Sequence, residues 1–274
     1  MFAVPKASDG RVARLGLLFP AMANSELLPV HYLPIATTAI ALAFLPILLN
    51  RGRVRGWPPH LVWWTIGVAC YGAGTLLESI ITLRGNSAEL NRWWYLAGAI
   101  LGAWPLATGS VYLVLARRTA TILTTISAVP VLVAAIAVTL SPIDVAEVPA
   151  HRPSGAAIDW TWIRAITPLI NTYAALFLVG GAAWSCVRFW GIPGQRGRTT
   201  GTALIALGGL LPGIGGGMAK AGIVEALYVA ELAGLVLIWA GYQLCIRSAD
   251  PGEGDLDASF ATIATGTAPE GSSS

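Results

Sequence analysis

Charge is what this 274-residue chain lacks most: 17 Lys and Arg with 14 Asp and Glu amount to 11% of it, where a soluble domain carries about 25%. So few ionisable side chains cannot cover a water-exposed surface. With 55% hydrophobic residues and a mean hydropathy of +0.67, most of the chain has lipid as its solvent. Cysteine is scarce as well. Cys70, Cys186 and Cys245 cannot staple a chain of this size. All three fall inside apolar runs, where sulfur behaves as a small hydrophobe, so no disulfide is expected. The three histidines, His31, His60 and His151, fall at different depths and cannot converge on one metal. No Ser/His/Asp set, phosphate loop or nucleotide motif is present. The sequence therefore calls for no cofactor, metal or catalytic residue, and an enzyme is the least favoured class.

What is present is a series of long apolar runs. A span needs about 20 mostly apolar residues, and seven such runs occur, at 27–49, 61–83, 93–116, 119–140, 163–189, 200–218 and 224–246. None shows the two-residue alternation of a membrane barrel, and backbone amides in lipid must be satisfied within their own segment, so all seven are read as helices. The expected fold class is all-α, a polytopic seven-helix bundle over residues 27–246. It is preceded by an external segment, 1–26, and followed by a cytoplasmic tail, 247–274. The first segment combines Lys6, Arg11 and Arg14 with Leu15–Phe19 and Ala21-Met22-Ala23, the features of a signal peptide; translation starting at Met22 is the competing reading. The tail is rich in Gly, Ser, Thr, Ala and acids and has too little apolar surface to fold.

Arginine placement sets the orientation, because basic residues are retained on the cytoplasmic side. Arg51, Arg53, Arg55, Arg117, Arg118, Arg188, Arg196, Arg198 and Arg247 share one side. The opposite loops carry Arg84, Arg92, Arg152, Arg164 and Lys220, diluted by Glu89, Asp144, Glu147, Asp159 and Glu225. The N-terminus is expected outside and the C-terminus inside a plasma (inner) membrane. The net charge of +3 then reflects topology, and the lipid bilayer, with no nucleic acid, is the expected partner. Nothing in the sequence sets an oligomeric state.

Spans one to three resemble spans five to seven. Gly67, Gly72 and Gly74 fall on Gly208, Gly213 and Gly215 at one offset, Tyr95 falls on Tyr228, and Pro34 on Pro168. A parallel 3+1+3 repeat is one reading of these coincidences, and chance matching between helices of a chain with 31 glycines is the other. This topology resembles the broad group of seven-helix membrane proteins built from two triple-helix bundles, which includes vitamin and sugar facilitators and the microbial opsins. An opsin needs a lysine in the middle of its last helix. Only Lys6 and Lys220 occur here, both outside the seventh span, so the resemblance does not extend to a covalent retinal pigment.

Three features mark where a function would sit. In the third span, Tyr95, Gly98, Gly102, Pro105, Gly109 and Tyr112 recur at helical spacing, predicting a tightly packed face at the centre of the bundle. In the sixth, Gly208, Pro212, Gly213 and Gly215 predict a weakened or broken helix, a pointer to a transport site when paired with Gly67, Gly72 and Gly74 of the second. Acids inside spans are costly and face a cavity or a partner. Glu78 and Glu231 are the two, each about 7–11 Å from the outer end of its helix. Tyr71, Gly74, Thr75, Glu78 and Thr82 form a polar stripe, Tyr228 shares a face with Glu231, and Arg164, Thr167, Asn171 and Thr172 add polarity at the outer end of the fifth span.

The expectation is a small transporter or channel-like protein with an outward vestibule. There Glu78 and Glu231 would bind a cation, proton or small solute, with Asn171, Tyr95 and Tyr228 as hydrogen-bond partners. A structural pairing of either acid with Arg92 or Arg164 is the competing reading of the site. At the level of function the alternative is a non-transporting receptor, membrane-complex subunit or lipophilic-ligand protein using Trp104 and Trp239, the two tryptophans well inside spans.

Overall fold

The computed structural model describes residues 29–248. The signal-like segment and the acidic tail expected at the two ends lie outside the described residues. Among the described residues, seven helices are long and apolar enough to cross a membrane: α1 (Pro29–Val54), α2 (Pro59–Arg84), α3 (Ala88–Val114), α4 (Arg117–Leu140), α5 (Thr161–Phe189), α6 (Arg196–Ala219) and α7 (Glu225–Arg247). The fold is a seven-helix, all-α membrane bundle. Side chains such as Ile122, Ile126, Val129, Leu132, Ile136 and Leu140 stand exposed along α4, an apolar surface suited to lipid rather than water. The interior divides into two clusters. One gathers Phe44, Leu48, Trp64, Leu235 and Tyr242 from α1, α2 and α7; the other gathers Ile100, Trp104, Val131 and Ile163 from α3, α4 and α5.

The helix break predicted in α6 is found in α3. There a regular helix to Trp94 passes into a wider π turn at Tyr95–Ile100, and a new helix starts at Trp104 with Pro105 in its first turn. Proline has no N–H to donate and its ring collides with the carbonyl four residues back, so the chain restarts where that amide is dispensable. Tyr95 through Tyr112 therefore do not form one continuous α-helical face, although α3 is the most buried span, at 56% against 44% for α2.

α6 instead runs unbroken through Pro212. Its glycines serve close approach to α7. A Cβ on Gly208 would stand 2.5 Å from the carbonyl oxygen of Gly234, and one on Gly215 would stand 2.7 Å from Ala230 Cβ; Gly241 meets Gly201 in the same way two turns along. The Pro212 ring closes over Gly234, 3.0 Å from a Cβ built there, so α7 supports the position where the helix bond is missing. Gly213 faces open space. α2 meets α3 by a similar device: a Cβ on Gly74 would lie 3.1 Å from Gly98 Cα, and one on Gly67 2.6 Å from Leu106. Gly109 accepts the Trp64 indole, and Gly102 packs on the Gly98 carbonyl.

The α4–α5 connection, residues 141–160, is pinned across the α2–α3 corner. Buried Asn91 donates to the Ser154 carbonyl and accepts from the Ser154 amide, each at 2.8 Å, and the Asn86 amide donates to Ala150 at 2.7 Å. Arg92 donates to the carbonyls of Val138 in α4 at 2.8 Å and of Ser141 just past its end at 2.6 Å, a C-terminal cap made by a cation from a neighbouring helix.

Candidate functional site

Glu78 and Glu231 meet. The first lies six residues before the end of α2 and the second six residues after the start of α7, so at 1.5 Å per residue both sit about 9 Å below the same end of the bundle. Glu78 is 2% exposed and Glu231 half-buried. The two carboxyl groups lie close enough to interact directly; a hydrogen bond between them would need a proton on one, since a carboxylate only accepts. Glu78 Oε1 accepts from the Trp94 indole N–H at 2.8 Å. The Oε2 atoms of both acids are sealed from the surface, and neither receives a hydrogen bond from an amide, hydroxyl or indole among the described residues.

The helices around the pair are tied by side chains of the same stripe. Tyr71 donates from its hydroxyl to the Glu231 backbone carbonyl at 3.0 Å, joining α2 to α7. Thr38 donates to Thr75 at 3.0 Å, joining α1 to α2. Gly74, Thr75 and Thr82 are buried beside Glu78 along that face.

The arginines considered as partners for these acids are engaged elsewhere. Arg92 caps α4 and stands 3.7 Å from Glu89. Arg164 reaches the Ala156 carbonyl at 3.5 Å. No basic side chain pairs with Glu78 or Glu231 among the described residues. Toward the loops, Tyr228 is almost wholly buried, meets the His31 ring edge-on at 6.0 Å between centroids, and lies within electrostatic reach of Glu78, Glu231, Glu225 and Arg152. His31 Nε2 stands 3.8 Å from Glu225. From the loop end inward the site therefore reads His31 and Glu225, then Tyr228, then the carboxyl pair.

The remaining residues singled out from sequence disperse. Tyr95 touches the site only through the edge of Trp94, 6.1 Å between ring centroids, and its hydroxyl is 2.9 Å from Thr167 on α5. Asn171 is exposed on the outer surface of α5. Trp104 donates to Ser127 at 3.1 Å and packs edge-on against Trp63, whereas Trp239 stacks on Phe44 in the other apolar cluster. A groove of about 480 Å³ between α6 and α7, lined by Leu211, Ile214, Met218, Ala226 and Val229, does not include the carboxyl pair.

Trp94, Asn91 and Arg152 were not among the expected site residues. For Trp94 a signal existed. Neighbouring helix positions diverge by about 100°, so Trp93 and Trp94 cannot both face the lipid boundary; Trp93 is 47% exposed and Trp94 turns inward. Comparison of the chain with family models, curated proteins and solved structures returned no match.

Proposed function

We propose that this protein is a small proton- or cation-coupled transporter in which Glu78 and Glu231 form one exchangeable site reached from outside the cell. The observation that carries the reading is two neighbouring carboxyls between α2 and α7, each with an oxygen sealed from the surface and neither with a basic partner among the described residues. An acid held in a membrane protein is costly and is retained where it binds an ion or relays a proton. In this reading the bound species is a proton shared by the two groups. When it leaves, two negative charges remain side by side, and a cation entering past His31, Glu225 and Tyr228 would compensate them. The packing of α2 on α3 and of α6 on α7 through glycines at matching positions is what a 3+1+3 duplication would produce, with the site at the junction of its halves, where transporter sites of duplicated folds sit.

The experiment is flux in liposomes under an imposed pH gradient. Wild-type protein should move protons or a monovalent cation, and Glu231→Gln, which keeps shape and hydrogen bonding but cannot release a proton, should abolish pH-dependent flux while folding normally. Flux unchanged in Glu231→Gln and Glu78→Gln would overturn the reading. A second reading, ligand binding without translocation, draws on Trp64, Trp239 and Tyr242 around Phe44. Their ring N–H and O–H groups are buried without acceptors among the described residues, an arrangement matching an apolar ligand that carries a carbonyl. It predicts quenching of tryptophan fluorescence by such a ligand, unaffected by Glu231→Gln.

A further inference from the structure

Asn171 stands where an amide is least at home. It lies ten residues into α5, which begins at Thr161, hence about 15 Å from that end, half of a hydrocarbon core about 30 Å thick. The buried face of α5 is Ile163, Thr167, Ile170 and Ala174. Asn171 is one position round from Ile170 and is exposed on the outside of the bundle, with no hydrogen bond among the described residues. Nearby polar groups do not share this predicament. Thr172 donates to the Pro168 carbonyl of its own helix at 2.8 Å, and Arg164, near the helix end, reaches the Ala156 carbonyl.

Lipid tails offer nothing to a carboxamide, which carries two donors and an acceptor. Another helix can complete it, and polar side chains at such depth act as the contact between helices. The neighbouring surface permits approach of a second helix: Pro168 and Ala175 are exposed one turn to either side.

We propose that this surface of α5 is an interface between two copies of the chain, related by a two-fold axis, in which the Asn171 amides pair across the axis. The occupant follows from self-complementarity. A two-fold axis brings the same side chain from both copies together, and an amide is both donor and acceptor, so Asn171 facing Asn171 satisfies each with no other residue type. The interface leaves the Glu78–Glu231 site within each copy and is independent of the transport reading.

The test is energy transfer between donor- and acceptor-labelled full chains in liposomes over a range of protein-to-lipid ratios. Wild type should show transfer above random proximity. Asn171→Leu, which places an apolar group against lipid and leaves the fold intact, should associate about tenfold more weakly. Asn171→Gln should keep most of the association, and Leu132→Ala on the lipid face of α4 should not change it. Transfer in wild type no greater than random would overturn the proposal and assign Asn171 to a different membrane protein. Equal association of wild type and Asn171→Leu would overturn it also, as would a loss in Asn171→Gln as large as in Asn171→Leu.

Discussion

At the scale of the residue, the carboxyl pair depends on one indole. Among the described residues Trp94 gives Glu78 its only N–H, and removing a donor from a buried acceptor costs the desolvation of the group left behind. Trp94→Phe keeps an aromatic ring and loses the N–H. It should lower unfolding stability by about 1–3 kcal/mol, whereas Trp93→Phe, at an exposed position, should stay within about 0.5 kcal/mol. Thermal unfolding in detergent measures both, and equal effects would show that the indole contributes only its ring. The two acids were legible in the sequence because charge inside an apolar run has few structural explanations. Asn171 misled because the polar residues of α5 recur at helical spacing. Thr167 points inward to Tyr95, and either Asn171 or Ile170 could continue its face; the apolar residue takes the buried place and leaves the amide outside. Trp94 was hidden by its type, since tryptophan near a span end is ordinarily a boundary residue.

At the scale of the element, the same composition had opposite consequences in α3 and α6. Both combine glycines with one proline, and sequence alone favoured a break where glycine is densest. What decides is the neighbour. Gly208 and Gly215 are pressed against α7, whose backbone closes over Pro212, and a helix supported along one side tolerates a missing bond. Pro105 sits between two ends that are each anchored separately, Trp94 to Glu78 and Trp104 to Ser127, so the chain opens there. The α6–α7 seam gives a paired prediction. Gly208→Ala has no room beside the Gly234 carbonyl and should cost about 1–3 kcal/mol by forcing the helices apart. Gly213→Ala, which meets nothing within 4 Å, should be neutral or stabilising by up to about 1 kcal/mol through reduced backbone freedom. Denaturant titration of the two variants measures the difference, and similar costs would show that α6 is limited by helix propensity rather than by contact with α7.

At the scale of the whole molecule, orientation decides which compartment the carboxyl pair serves. Arg51 and Arg53 lie in the last turn of α1 and Arg55 just follows it, Arg117 and Arg118 begin α4, and Arg196 and Arg198 begin α6, so the basic residues gather at the bundle end opposite Glu78 and Glu231. The end near the acids has arginines too, but Arg92 is spent on the α4 carbonyls and Glu89, and acids such as Glu89, Asp159 and Glu225 accompany the rest. The retention of basic loops in the cytoplasm predicts a C-terminus inside, with the site about 9 Å from the outer ends of its helices. A green fluorescent protein fused after Ser274 should fluoresce, and alkaline phosphatase fused there should be inactive. Replacing Arg51, Arg53 and Arg55 together by alanine should produce a mixed population. Phosphatase activity from the wild-type fusion would reverse the bundle. The His31–Glu225 entrance would then open to the cytoplasm, and flux through Glu78 and Glu231 would respond to internal rather than external pH, a difference that liposomes with the protein inserted in one direction would register directly.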